Sequence, residues 1–303
     1  MDATIEVRGL RKRYGTAVAL DDLTFTVSPG HVTGFGGPAG AGKTTTLRVL
    51  LGLERPDRGM ALISGRQYRE LRVPLREAGA VLWGTAPHPA CRARTHLRWL
   101  AQSNGLPATR AGEVLELTGL SAVAKRAIGT LDPASRRRLD LAAALLGDPP
   151  VLLLDEPFDG LGPDDATWLR GLLRELAAQG RAVLITSRTM RELEETAEHV
   201  VVVTRGRLLA DAPLKDLLAA VSDGLVAVHT SHREEAITVL AHAGATVTAG
   251  GGDEITVSGL PADRVVSVLS EGVVPFSGVS EHRPSLEEAY LELTRKTAEQ
   301  VPA

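Results

Sequence analysis

The chain has 303 residues, 44% hydrophobic and 23% charged, with 34 lysines and arginines against 37 aspartates and glutamates. That balance excludes a largely disordered chain and argues against a nucleic-acid partner, which selects a strongly basic surface. A single cysteine, Cys91, excludes an intrachain disulfide and suits a reducing compartment.

In chain order, Met1–Glu6 lacks the basic-then-apolar order of a signal peptide. Ile5–Val7 and Leu23–Val27 alternate apolar and polar residues, as strands with one exposed face do. Val32–Phe35 reads as a strand that enters a glycine-rich loop, and Thr44–Gly52 as the helix after it. From about Thr95 to Leu146 the pattern is mostly helical. Val151–Leu154 is a continuous aliphatic run, which predicts a strand buried on both faces of a parallel sheet. An amphipathic helix over Trp168–Gln179, a strand over Ala182–Thr186 and a helix over Arg191–His199 follow. Arg205-Gly206 centres a hairpin between His199–Thr204 and Arg207–Leu209. Alternating strands and helices predict a layered α/β domain.

A second unit starts after Ala219. Its predicted order is strand (Leu225–His229), helix (Arg233–Ala243), strand (Thr246–Thr248), strand (Glu254–Val257), helix (Pro261–Glu271) and a last strand at Val273–Pro275. That order, β-α-β-β-α-β, predicts a small ferredoxin-like α+β module. Ser285 with Glu288 three residues on is a capping box that opens a final helix. No apolar stretch is long enough to cross a bilayer.

The segment Gly37-Pro38-Ala39-Gly40-Ala41-Gly42-Lys43-Thr44 matches a phosphate-binding loop, with a strand before it and a helix after it. Gly37, Gly40 and Gly42 let backbone N–H groups turn inward around a phosphate without a Cβ in the way. The helix behind directs its positive end at the anion. Lys43 brings a full charge to the β- and γ-phosphates, Thr44 brings a hydroxyl for Mg²⁺, and Thr45 completes the nucleotide-binding set. The run Val151–Leu154 then ends in two acids. Asp155 is placed to hold Mg²⁺ and Glu156 to polarise a water against the γ-phosphate.

With these residues in hand, the chain resembles the ATP-binding subunit of an ABC transporter over about Ile5 to Leu217. It is most similar to single-cassette subunits of drug exporters of the daunorubicin-resistance type, which also end in a small module with a Ser-Leu-Glu-Glu helix, here Ser285–Glu288. The resemblance implies a P-loop NTPase fold: a RecA-like parallel sheet core, an antiparallel β subdomain and a helical subdomain. The cassette would span 1–217 and the C-terminal module 222–297. It implies that Tyr14 stacks on adenine and that ATP with Mg²⁺ is bound. It also implies a second cassette, as homodimer or heterodimer, and a separate integral membrane permease that docks near the loop after Trp83. The subunit would sit on the cytoplasmic face of the cell membrane.

Four positions depart from the family pattern. Trp83 stands where a glutamine that serves Mg²⁺ and water is expected, and an indole is a donor only. Leu131-Asp132-Pro133-Ala134-Ser135 replaces the Leu-Ser-Gly-Gly-Gln signature. Asp132 before Pro133 reads as an N-cap with proline at the first helical position, and the Arg136–Arg138 run behind it as a solvated helix face. Gly162 replaces an aspartate that links the two ATP sites, with Asp164 or Asp165 as the candidates to take over. Arg188 occupies the position of the switch histidine. It would act as an arginine finger or hold ATP without productive geometry, and the sequence leaves both open. Groups that grip phosphate and metal are kept while groups that sense the γ-phosphate are altered. The expectation is an energy-coupling export subunit whose hydrolysis is attenuated, with Glu156 and Arg188 at the reacting end. The alternative is a regulatory nucleotide-binding subunit with little turnover.

Overall fold

The structure, a computed structural model, describes residues 4–82, 87–222, 225–249, 252–281 and 284–299. It divides into two units, Met1–Leu214 and Lys215–Glu299. The first begins with β1 (Ile5–Tyr14), β2 (Ala17–Val27), β3 (Val32–Gly36), α1 (Lys43–Leu50) and β4 (Arg58–Ile63). A short α2 (Pro74–Glu77) leads into β5 (Ala78–Val81). Helices α3 (Ala93–Ser103), α4 (Arg110–Leu117) and α5 (Pro133–Ala144) follow. The unit continues with β6 (Val151–Leu154), α6 (Pro163–Ala178), β7 (Ala182–Ser187), α7 (Met190–Thr196), β8 (His199–Thr204) and β9 (Arg207–Pro213).

Two sheets result. Strands β2, β1 and β4 form an antiparallel sheet in that order, with Ile5, Val7 and Leu10 of β1 turned to its buried face. The other sheet runs β5-β6-β7-β3-β8-β9, parallel except for β9. Strand β6 lies inside it with all four residues at most 1% exposed. Burying such side chains contributes roughly 1.5–3 kcal/mol each, so the strand end that presents Asp155 is held firmly. Asp21 ties the two sheets together: its N–H donates to Gly206 O at 2.9 Å, and its carboxylate accepts from Arg207 Nε at 2.9 Å.

Helix α7 covers less than the pattern predicts. It ends at Thr196, Ala197 N–H closes on Leu193 O, and His199 already belongs to β8. Helix α6 starts earlier than predicted, because Gly162 serves as N-cap and Pro163, which has no N–H to satisfy, takes the first turn.

The second unit comprises α8 (Leu214–Ser222), β10 (Val226–His229), α9 (Arg233–His242), β11 (Thr246–Ala249), β12 (Glu254–Ser258), α10 (Ala262–Glu271), β13 (Gly278–Glu281) and α11 (Leu286–Glu299). Its sheet has the order β11-β12-β10-β13, antiparallel throughout. Val226, Val228, Ile255 and Val257 turn one face into a core with Leu240, Val265 and Leu269. The strand expected at Val273–Pro275 is not there. Val273 has φ 56, and the N–H groups of Val273 and Val274 turn back to Ser270 O and Leu269 O, which caps α10. The last strand comes at Gly278–Glu281 instead. At Ser285 the capping box is formed in both directions: Ser285 N–H donates to Glu288 Oε2 at 2.7 Å and Glu288 N–H to Ser285 Oγ at 3.2 Å.

Candidate nucleotide site

The parallel strands end together, and their loops enclose a cleft of about 670 Å³. Tyr14, Gly40, Gly42, Lys43, Thr44, Thr45, Asp155, Glu156 and Arg188 line it, together with Asp159. Gly37 lies beneath the loop, where its carbonyl accepts from Lys43.

The loop from β3 to α1 has its shape because of two glycines. A Cβ on Gly37 would stand 2.3 Å from Val203 O, and one on Gly42 would stand 2.6 Å from Ala19 O. Gly42 also holds φ 102, which side-chain-bearing residues rarely adopt. From Gly42 the chain enters α1, whose first N–H groups face the cleft end of the helix. Lys43 is 5% exposed and folds back over the loop, where Nζ donates to Gly37 O at 2.5 Å and Pro38 O at 3.1 Å. Burial pulls its ammonium below its usual range, opposed by the nearby Glu156 and Asp155.

Asp155 is 1% exposed and fully engaged. Its Oδ2 accepts from Thr44 Oγ1 at 2.9 Å and its Oδ1 from Thr186 Oγ1 at 2.7 Å. The same Thr186 hydroxyl accepts the N–H of Glu156 at 2.9 Å. Glu156 itself sits at φ 48, an uncommon backbone for a residue with a side chain. A hydroxyl and a carboxylate converging beside an anion-binding loop are the hard oxygen donors that Mg²⁺ prefers, so the residues present fit that ion.

Arg188 is exposed and paired with two acids. Its Nε donates to Glu156 Oε2 at 3.0 Å, and its Nη2 lies 3.7 Å from Asp159 Oδ2. The hydrogen bond with Glu156 raises the affinity of the guanidinium for its proton further. The guanidinium therefore lies across the mouth of the cleft and holds one oxygen of Glu156.

At the altered signature, Asp132 caps α5. Its Oδ1 accepts Ser135 N–H at 2.8 Å and its Oδ2 the Ser135 hydroxyl at 2.7 Å. These bonds keep its carboxyl below the usual range. Of the Arg136–Arg138 run only Arg136 is exposed, and the other two are packed rather than solvated. Arg138 stacks over Trp168 at 3.8 Å and donates to Asp165 at 2.8 Å, while Arg137 donates to Asp159 O at 3.1 Å. Asp165 is thereby committed to α5, and of Asp159, Asp164 and Asp165 it is Asp159 that lines the cleft. Trp83 lies outside the described residues.

Comparison with known proteins agrees with this geometry. The ABC transporter family profile matches residues 20–159, and a domain family of unknown function matches residues 224–287. The daunorubicin resistance ATP-binding protein DrrA3 of Streptomyces coeruleorubidus is 34% identical, over 97% of this chain and 96% of its own. The chain belongs to the ABC transporter ATP-binding proteins. The Nod factor export ATP-binding protein I of Ralstonia nicotianae is 33% identical to this ABC protein over 96% of the chain and 93% of its own. Among solved structures, an ATP-binding subunit of an ABC transporter is 25% identical with a TM-score of 0.64, covering 71% of this chain and 92% of that one. A dimeric bacterial ABC transporter cassette, 20% identical with a TM-score of 0.63 over 69% of this chain and 98% of its own, shares the fold. ABC cassettes bind ATP, generally with Mg²⁺. Among the described residues no helix is long and apolar enough to cross a membrane.

Three interactions of this ABC cassette were missed in the sequence. Nothing in a strand-like Ala182–Thr186 marks Thr186 as the hydroxyl shared by Asp155 and Glu156, because the link spans 31 residues. The Arg137–Asp159 and Arg138–Trp168 contacts are equally long-range. The signal that was available is the aromatic at Trp168, a rare residue type here, on the exposed flank of a predicted helix.

Proposed function

We propose that this chain is the ATP-binding, energy-coupling subunit of an export-type ABC transporter for drug-like or lipophilic cargo, and that its own hydrolysis is attenuated. Lys43 and the loop glycines bind the β- and γ-phosphates, Thr45 lies beside them, and the ring of Tyr14 carries adenine. Thr44 and Asp155 hold Mg²⁺, which when bound supplies positive charge against the phosphate oxygens. Glu156 accepts the proton of the attacking water. Its partners are a second cassette and a separate membrane permease, on the cytoplasmic face of the membrane. The relatives named for Nod factor export support the transport direction.

The observation that carries the attenuation is the 3.0 Å bond from Arg188 to Glu156. It engages one of the two carboxylate oxygens that could serve an attacking water and fixes its direction, and a guanidinium does not pass its proton on. The capped start of α5 adds to it, because Asp132 absorbs an N–H that a signature helix would offer to a partner's nucleotide.

A steady-state ATPase assay on the purified chain tests this. Turnover of the unaltered chain should be slow, Arg188→His should raise it about ten-fold or more, and adding Glu156→Gln to that variant should silence it. Fast, Glu156-dependent turnover of the unaltered chain without any partner overturns the attenuation. A second reading, a regulatory subunit with little turnover, is favoured by the commitment of Asp132 to its own helix. Nucleotide-dependent dimerisation with no hydrolysis in either variant would select it.

A further inference from the structure

Past the end of β6 the chain brings three acids to the cleft, Asp155, Glu156 and Asp159. The proposed chemistry uses the first two and leaves Asp159 without a task. Its main chain is held at both ends. The N–H of Asp159 donates to Glu156 O at 3.2 Å, and its carbonyl accepts from Arg137 Nη2 of α5 at 3.1 Å. Pro157 and Phe158, which lie between the two acids, are buried. The turn is therefore fixed, and it sets the carboxylates of Glu156 and Asp159 against one guanidinium.

That guanidinium is Arg188. Its Nε donates to Glu156 Oε2 at 3.0 Å, and its Nη2 lies 3.7 Å from Asp159 Oδ2. Nε and Nη2 belong to one edge of the group, the fork with which an arginine grips both oxygens of a single carboxylate. Here the fork is divided between two acids. Among the described residues no hydrogen bond or ion pair reaches the other oxygen of Glu156, Oε1. Glu192 also acts on Arg188 by its charge, but its Oε2 accepts from the Ser187 hydroxyl at 2.6 Å. The acid that competes with Glu156 for the second arm is Asp159.

We infer that Asp159 is a positioning residue for hydrolysis: it draws Nη2 of Arg188 to itself and so leaves one oxygen of Glu156 open to the attacking water. The inference rests on the proposed roles of Glu156 as base and of Arg188 as its restraint. Without a charge at 159 the guanidinium has Glu156 as its remaining partner at the cleft. It then closes on that carboxylate with both arms, which is the stronger arrangement. Neither oxygen of Glu156 is left free to accept from a water. The slow turnover and its survival thus come from the two arms of one arginine. The bond from Arg137 ties this division to α5, because it sets where Asp159 stands.

The test is a double-mutant cycle on the full chain, read by single-turnover hydrolysis of radiolabelled ATP with Mg²⁺ over a range of chain concentrations. Asp159→Asn keeps the size of the side chain and removes its charge. With Arg188 present it should slow the saturated rate constant about ten-fold. In the Arg188→Gln background it should change that constant by less than about two-fold, because no fork is left to close. Any effect of the lost charge on nucleotide affinity should be equal in both backgrounds, so the coupling lies in the rate constant and not in the half-saturation concentration. Asp159→Glu keeps an acid and should lie nearer the unaltered chain than Asp159→Asn does. An equal fall in both backgrounds overturns the inference, since Asp159 would then act on the water or the loop directly. A faster Asp159→Asn chain overturns it too, because Asp159 would then be what holds Arg188 on Glu156. So does an Asp159→Glu chain as slow as Asp159→Asn, and so does a complete lack of hydrolysis by the unaltered chain, in which the open oxygen would serve nothing. The attenuation fails separately. If Arg188→Gln is no faster than the unaltered chain while Asp159→Asn slows only the chain that keeps Arg188, the attenuation is lost and the divided fork stands.

Discussion

The buried floor of the cleft and its exposed rim are built by different rules. On the floor, Lys43, Asp155 and Thr186 are buried: Lys43 closes on its own loop, while Asp155 bonds Thr44 and Thr186 across elements far apart in sequence. At the rim, Asp132 and Arg188 are exposed, and Asp132 bonds its own helix start while Arg188 reaches across to Glu156. The floor is organised to receive something, whereas the rim is organised to satisfy itself. A cassette can therefore keep its grip on nucleotide and still answer it weakly.

The largest expected effect lies on the floor. Lys43→Ala removes the buried ammonium, and nucleotide affinity measured by calorimetry should fall about 100-fold or more. If affinity survives, the floor does not grip as described and the comparison fails. Thr186→Val comes next. It leaves Asp155 Oδ1 and the N–H of Glu156 without their shared partner, so chemical denaturation should show a loss of about 2–3 kcal/mol.

Helix α5, which runs from the rim towards the core, gives a pH-dependent case. Burial pushes the Asp140 carboxyl up from 3.8 to about 6, against the pull of Arg137. The folded chain thus keeps a proton that the unfolded chain has released, and this part of the stability is full below about pH 4 and lost as pH rises through about 6. Asp140→Asn should stabilise the chain by about 1–2 kcal/mol at neutral pH, with the gain vanishing near pH 4 in thermal melts. The smallest effect belongs to the cap: Asp132→Ala should cost about 1 kcal/mol without changing nucleotide affinity. A drop in affinity there would mean that the rim reaches its own chain's nucleotide after all.

Much of the floor was legible in the sequence because it is local. A phosphate loop needs its glycines, lysine and threonine at fixed spacing, and an aliphatic run ending in two acids announces its own burial. The cap at Asp132 was legible for the same reason, since Asp-Pro is a pattern of adjacent residues. Contacts that close over long separations were not. Arg138 on Trp168 depends on how α5 and α6 pack, and charge clustering alone made it look solvated. The last strand of the small unit was misplaced because Val273-Val274 has strand-like composition, while the helix before it needed those two N–H groups to finish.

One detail of the backbone reaches further. Along a strand, consecutive side chains point to opposite sides of the sheet. Asp155 and Glu156 are consecutive, yet both line the same cleft. The φ of 48 at Glu156 breaks the alternation two residues past the end of β6. That single turn of the chain lets two neighbouring acids serve one site from one strand. It also means that the direction of Glu156 is set by the main chain as much as by its rotamer. An exchange that keeps the backbone, such as glutamine, changes the chemistry alone. Proline, whose ring holds φ near −65°, would swing the position away from the cleft even if every contact of Asp155 were kept.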